Sequence, residues 1–293
     1  MQLLDGAAVF AHIKNELQRE TAQLQQQYGK VPHLAAILVG HDPASESYVG
    51  SKVKDCEEVG YESSLLRFDT SITEEALLAE VQKLNADDRV NGILVQLPLP
   101  KHISSEAVIN AIDPDKDVDG FHPISQGRMV LGQKTFLPAT PFGMMLMLEH
   151  YGIDITGMHC VVVGRSNIVG TPMSILLSRN TNPGNATVTL THSKTRNLKE
   201  LCLQADLIVA AIGIPKFVKA DMVKDGAIVL DVGINRIDDA TRKSGFRLVG
   251  DVDFDNVAEK CSYITPVPKG VGPMTRCGLM KNTLEAFLIQ NAK

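Results

Sequence analysis

The chain has 293 residues, 44% of them hydrophobic and 22% charged, and carries a formal net charge of −5. That is room for one large or two medium domains with a real core, and the mild acidity argues against nucleic acid or an anionic membrane as the main partner. Five cysteines (Cys56, Cys160, Cys202, Cys261 and Cys277) with no CxxC pair argue against a disulfide framework or a thiolate zinc site, and fit a reducing compartment.

The opening stretch, MQLLDGAAVFAHIKNELQRE, mixes charges into an apolar pattern and predicts an amphipathic helix rather than a secretory signal. No apolar run is long enough to span a bilayer, so a soluble cytoplasmic protein is expected. LAAILVG (34–40) is a short buried strand. A helix follows, capped by Asp42, started by Pro43 and ended near Gly60. Next come a strand SSLLRF (63–68), a helix TEEALLAEVQKLNAD (73–87) and a strand GILVQLPLP (92–100) that Pro98 and Pro100 stop. The same rhythm restarts at TPFGMMLMLEHYG (140–152), with Thr140 as cap and Pro141 in the first turn. HCVVVG (159–164), a helix from about Gly170, ATVTLT (186–191), a helix at LKELCLQ, DLIVAAIG (206–213) and GAIVLDVG (226–233) complete it. The chain closes with a helix, RCGLMKNTLEAFLIQ, that Thr275 caps and whose apolar face is Leu279, Met280, Thr283, Leu284 and Phe287. Strands alternating with helices predict two α/β domains with parallel sheets, and a cleft between such units is a common place for a ligand.

CVVVGRSNIVGTPMSILL (160–177) has the order strand, glycine turn, helix. Gly164 and Gly170 stand five residues apart, not in GxGxxG spacing. Such a turn is either a plain turn or a cradle in which backbone N–H groups face a phosphate. The second strand ends in THSKTR (191–196), where an NAD-specific unit would place an acid about twenty residues after the turn. His192, Ser193, Lys194 and Arg196, with Arg165, form either a solvated basic loop or a site that attracts a 2′-phosphate and prefers NADP to NAD.

SYVGSK places Tyr48 and Lys52 four residues apart, on one helix face. The pair is either two amphipathic side chains reaching water or a reaction centre. Short-chain dehydrogenases also use YxxxK, but there it follows the nucleotide turn; here it precedes it, which sets that reading aside. In DPDKDVDGFHP (113–123), Asp115, Asp117, Asp119 and Gly120 match the opening of an EF-hand loop. Gln126 at the twelfth position, the intrusion of Pro123 and the expected lack of a flanking helix pair count against calcium. An Asp-rich turn, or one buried carboxylate that grips a ligand amidine, are the remaining readings. ITPVPKGVGPMT (264–275) is a stiff, shaped loop of the kind that lines sites.

Together YVGSK, GILVQLPLP, DKDVDGFHP, VVVGRSNIVGTP, DVGINR and TPVPKGVGPMT, in order over nearly the whole chain, resemble the bifunctional methylenetetrahydrofolate dehydrogenase/methenyltetrahydrofolate cyclohydrolase family. The resemblance implies a folate-binding catalytic domain over 1–139, rejoined by a C-terminal helix over 276–293, and a Rossmann-like NADP-binding domain over 140–275. It implies folate in the cleft between them and a homodimer through the Rossmann units. The family's catalytic positions fall on Lys52, Tyr48, Gln96 and Asp119; substrate contacts fall on these and on Leu97, Gly272 and Pro273. Cofactor contacts fall on Gly164, Arg165, Ser166, His192, Ser193 and Ile234. Lys269 stands where the family usually has glycine, and TRCGLMKNT departs from a commoner apolar version at positions expected to pack.

The implied chemistry is NADP-dependent oxidation of 5,10-methylenetetrahydrofolate to the methenyl cation, then hydration to 10-formyltetrahydrofolate. Hydride transfer needs mainly alignment. Hydration needs a base, and Lys52 would serve if burial and the substrate cation lower its pKa, with Tyr48 and Gln96 holding it and Asp119 gripping the pterin. Alternatively Lys52 stays protonated and guides the bridge nitrogen electrostatically. A monofunctional NAD(P) dehydrogenase and a non-catalytic nucleotide-binding module are the competing functions.

Overall fold

The computed structural model describes residues 1–242 and 245–291. In chain order its elements are β1 (Gln2–Leu3), α1 (Gly6–Tyr28), β2 (His33–Val39), α2 (Pro43–Val59), β3 (Glu62–Phe68), α3 (Glu74–Ala86), β4 (Gly92–Val95), α4 (Ser105–Ala111) and α5 (Pro123–Val130). Then follow α6 (Ala139–His150), β5 (His159–Val163), α7 (Gly170–Ser178), β6 (Thr187–Thr191), α8 (Leu198–Gln204), β7 (Leu207–Ala210) and β8 (Ile228–Asp231). The last elements are β9 (Asn235–Asp238), β10 (Phe246–Val249), α9 (Phe254–Val257), β11 (Tyr263–Ile264) and α10 (Val271–Asn291). They fall into two compact units, Met1–Phe10 with Thr140–Thr275, and Ala11–Ala139 with Arg276–Lys293.

The unit built on Ala11–Ala139 carries a three-stranded parallel sheet in the order β3-β2-β4. Leu77 and Val81 of α3 pack with Ile37, Ile93 and Val95 into one core cluster, and a fully buried aliphatic side chain of this kind contributes about 2 kcal/mol. The helix that holds Tyr48 and Lys52 is punctuated as its sequence predicts. Asp42 accepts the Ser45 N–H at 2.8 Å, Pro43 opens the first turn, and Gly60 ends the helix at φ +80°. Thr73 caps α3 in the same way through the Ala76 N–H. The last helix returns to this unit, where the Tyr61 hydroxyl donates to the Met280 carbonyl at 3.2 Å.

The other unit carries a six-stranded, wholly parallel sheet ordered β1-β11-β8-β7-β5-β6. Chain order reverses between β5 and β7, the position at which doubly wound sheets bind ligands beyond their carboxyl ends. β9 and β10 form a separate antiparallel hairpin. The short pieces β1, β9, β10 and β11, and the helices α4, α5 and α9, carry too little periodicity to be read from sequence.

Two expected caps are corrected. α6 begins at Ala139 and α10 at Val271, so Thr140 and Thr275 lie inside their helices, with their hydroxyls bonded to each other at 2.9 Å. The physical reason is a proline in each first turn, Pro141 in α6 and Pro273 in α10: it needs no N–H donor there, so the helix starts ahead of it. Gly143 lies within α6, where alanine would ordinarily be better by about 1 kcal/mol. Here a Cβ would sit 2.1 Å from the Met274 carbonyl oxygen. Gly143→Ala is therefore expected to lower stability by about 1–3 kcal/mol, read as a lower urea midpoint; an equal or higher midpoint contradicts the close approach.

Candidate functional site

Lys52 lies on the buried face of α2 and is 4% exposed. Its Nζ donates to Gln96 Oε1 at 3.1 Å and lies 4.9 Å from the centroid of the Tyr48 ring, one turn earlier on the same helix. Pro98 cannot extend a ladder, so β4 ends at Val95 and Gln96 turns out of the strand. The Gln96 amide is oriented from its other side, because its Nε2 donates to the Leu97 carbonyl at 2.7 Å. The Leu97–Pro98 peptide is cis. Burial holds the Lys52 amine below the usual lysine range; Asp119 opposes that and Arg276 adds to it.

The Asp-rich stretch divides its carboxylates between two tasks. Asp117 is buried and spends its oxygens on the protein: it accepts from the N–H groups of Phe121 and His122 and from the Ser125 hydroxyl at 2.7 Å. Lys116 caps the end of α3 by donating to the carbonyls of Leu84, Asn85 and Asp87. Asn282 of α10 donates to the carbonyls of Val118 and Leu137, each at 2.8 Å. Gly120 takes φ +71° with a Cβ position 2.5 Å from the Leu137 carbonyl carbon, so only glycine fits there. Between these anchors sits Asp119, half-buried, with no described residue donating to its carboxylate. Burial raises its pKa, and Lys52 is the charge that opposes the rise. Helices α4 and α5 do flank this stretch, contrary to the sequence expectation. The EF-hand reading fails on other ground, since the Asp117 acceptors are taken by protein donors.

Sequence reading missed the charges behind Lys52. Asp55, one turn further along α2, is 1% exposed and accepts both Lys14 Nζ at 2.5 Å and the Arg276 guanidinium. Arg276 belongs to the segment expected to serve packing only. Cys277, Leu279, Met280 and Thr283 are indeed buried, but Arg276 and Asn282 make polar contacts across 221 and 164 positions of chain. The one available signal was that a charged residue opens an otherwise apolar helix face.

In the other unit, Gly164 ends β5 at φ +116°. A Cβ there would lie 2.1 Å from the Ala211 carbonyl oxygen, and one on Gly170 would lie 2.0 Å from the Gly164 carbonyl oxygen. The turn is thus packed against the loop after β7, at the reversal of strand order. Ser166 Oγ accepts from Val169 N and Gly170 N, at 3.2 and 3.4 Å, on the approach to α7. Arg165, Ser166, Ser193, Lys194 and Arg196 are exposed, and His192 is half-buried, with its Nδ1 accepting the Lys194 N–H. No carboxylate stands at the end of β6. Ile234 is exposed beyond β8, and Gly272 and Pro273 lie in the first turn of α10 instead of in a loop. Two buried carboxylates that sequence reading also missed brace these loops. Asp251 accepts from the Ile212 and Gly213 N–H groups and from Asn235, and Asp231 accepts from the Gly233, Asp251 and Val252 N–H groups.

A parallel sheet of this order with a glycine turn at its reversal point is a dinucleotide-binding unit, here in a chain whose second α/β unit holds a desolvated lysine. Residues 138–291 match the model of the tetrahydrofolate dehydrogenase/cyclohydrolase NAD(P)-binding domain, and residues 4–119 that of the catalytic domain of the same proteins. The bifunctional protein FolD of Cytophaga hutchinsonii is 62% identical over 290 residues, covering 99% of this chain and all of that one. The bifunctional FolD structure from Campylobacter jejuni superposes with a TM-score of 0.91 at 50% identity, over 98% of each chain. The Trypanosoma brucei methylenetetrahydrofolate dehydrogenase-cyclohydrolase, complexed with NADP and an inhibitor, gives 0.93 at 38% identity, over 99% of this chain and 98% of that one. The chain belongs to the tetrahydrofolate dehydrogenase/cyclohydrolase family.

Burial pushes the Asp117 carboxyl from an ordinary 3.8 up to about 7. A carboxyl raised by folding stabilises the native state in its protonated form, so this contribution is complete below pH of about 4 and is lost as pH rises through about 7. Asp117→Asn mimics the protonated group. Wild-type unfolding free energy is expected to fall relative to that variant across this window; parallel pH profiles from urea titrations would contradict it.

Proposed function

We propose that the folate chemistry of this bifunctional dehydrogenase and cyclohydrolase is done by the unit that holds Lys52, with NADP carried by the unit that holds Gly164. The enzyme oxidises 5,10-methylenetetrahydrofolate to the methenyl cation and then hydrates it to 10-formyltetrahydrofolate. The observation that carries the residue assignment is the desolvated Lys52 amine, fixed by Gln96 and Tyr48 and faced by the Asp119 carboxylate.

The nucleotide residues fit NADP. Glycines that admit no Cβ let the backbone approach a pyrophosphate, and the exposed Arg165, Ser193, Lys194 and Arg196 suit a 2′-phosphate that an acid would repel. NADP supplies the hydride acceptor for the first step. Toward it, Gly164, Arg165 and Ser166 bind phosphate, His192 and Ser193 select the 2′-phosphate, and Ile234 lies against the cofactor.

In the other unit Asp119 accepts paired hydrogen bonds from the pterin amidine edge and sets the ring's orientation. Leu97 contacts the folate. In the second step Lys52 removes a proton from the water whose oxygen joins the methenyl carbon; the adduct's remaining hydroxyl proton is then lost as the C–N bond breaks, the departing nitrogen takes up a proton, and the formyl group stays on the other nitrogen. Burial of Lys52 shifts it toward the neutral amine that a base requires. The enzyme works in the cytoplasm as a homodimer with no nucleic-acid partner, and the net charge of −5 supports the last of these.

Lys52→Met is expected to abolish cyclohydrolase activity, followed by the loss of methenyl absorbance, while folate and NADP still bind by calorimetry. Hydration surviving in that variant refutes the role of Lys52. Asp119→Ala is expected to weaken folate binding at least tenfold, about 1.4 kcal/mol, and to impair both steps with NADP affinity unchanged; wild-type kinetics would exclude its role.

A further inference from the structure

We propose that Asn282 is a positioning residue for folate recognition: its side-chain amide clamps the backbone on which Asp119 stands, and so fixes the direction from which that carboxylate meets the pterin. The inference rests on Asp119 being the group that grips the pterin edge.

A carboxylate that the protein does not hold by its oxygens has to be aimed by its backbone. No described residue donates to the Asp119 carboxylate, so its direction depends on the two peptide planes that meet at its Cα. Asn282 Nδ2 donates to the Val118 carbonyl at 2.8 Å, which fixes the plane before Asp119. The Ala139 N–H donates to the Asp119 carbonyl at 3.3 Å, which holds the plane after it. The same Asn282 amide donates to the Leu137 carbonyl at 2.8 Å. Asn282 therefore ties the Asp119 segment to the segment that Gly120 packs against, where a Cβ would lie 2.5 Å from the Leu137 carbonyl carbon. With both planes set, only the side-chain torsions of Asp119 are left for the ligand to settle.

Position 282 is otherwise an apolar place. Asn282 is 4% exposed, and Leu279, Met280 and Thr283 around it are fully buried. Leucine is the better helix former, but it would take the donor away from both carbonyls, and a buried polar group left unpaired is costly. Gln290, about two turns further along α10, braces the same stretch elsewhere. Its Nε2 donates to the carbonyls of Asn91 and Asp115, each at 3.0 Å. Gln290 thus holds the Asp-rich stretch without touching the peptide planes of Asp119, which makes it the control.

Calorimetry separates recognition from stability. It gives the dissociation constants of tetrahydrofolate, of NADP, and of 2-desamino tetrahydrofolate, which lacks half of the paired hydrogen bond. In the wild-type protein the desamino compound binds roughly tenfold more weakly than tetrahydrofolate. Asn282→Leu cuts this ratio by roughly threefold or more, weakens tetrahydrofolate and leaves NADP unchanged; the KM for 5,10-methylenetetrahydrofolate rises more than kcat falls. Asn282→Ser, which keeps one hydroxyl donor, moves the ratio the same way by less, and serves if the leucine variant does not fold. Gln290→Leu keeps the wild-type ratio, whatever it does to the urea midpoint. Asn282→Leu combined with Asp119→Ala binds tetrahydrofolate within about twofold of Asp119→Ala alone, because both changes act on one contact. An unchanged ratio in the Asn282 variants overturns the proposal. So do additive losses in the double variant, or an equal fall of the ratio in Gln290→Leu, either of which marks a purely structural role. Wild-type affinity and ratio in Asp119→Ala overturn the assignment of Asp119 instead, whatever the Asn282 variants do, so the two failures are distinguishable.

Discussion

An amine taken out of water must lose its proton or find a counter-charge, because the low-dielectric interior penalises the bare ammonium. Lys52 is under both pressures at once: burial and Arg276 push it toward the neutral amine, and Asp119 pulls it back. Much of the surrounding unit follows from holding that balance. The caps at Asp42 and Gly60 set the register of α2, so that Tyr48, Lys52 and Asp55 keep to one stripe. The early end of β4 delivers Gln96 to the amine, and the Gln96 bond to the Leu97 carbonyl keeps the accepting oxygen turned toward it.

Neighbouring carboxylates of one chemical type take opposite roles according to what donates to them. Asp117 is consumed by Phe121, His122 and Ser125, and so becomes part of the scaffold. Asp119, two residues later, has no donor to its carboxylate among the described residues. The nucleotide unit divides labour differently. Its glycines remove side chains where backbone must come close, and Asp231 and Asp251 tie the loops after β7 and β8 through backbone N–H groups. Rigid loops at the carboxyl ends of a parallel sheet are what alignment for hydride transfer requires.

The parts of the site legible in sequence were those with local signals. Tyr48 and Lys52 share a helix because of a capped, periodic segment; Gln96 marks a strand stopped by proline; Gly164 and the acid-free end of β6 mark the nucleotide turn. The parts that were not legible depend on distant pairing. Nothing near Arg276 in sequence announces Asp55, which lies 221 positions away, and nothing near Asp251 announces the Ile212 and Gly213 N–H groups that it receives. The short strands β1 and β11 escape for a related reason: two residues carry no period of their own and exist only because a neighbouring strand pairs with them.

Sequence alone determined the order of the longer strands and helices and the parallel α/β class, because punctuation by proline, glycine and capping side chains acts over a few residues and survives in the linear text, and it determined the family through motifs spread along the chain. Tertiary structure alone decided which carboxylate is spent and which is offered, which lysine is desolvated, and which cation stands behind it. Burial and Coulomb interaction depend on distance through space, and the folded chain sets that distance with little regard to position along the sequence.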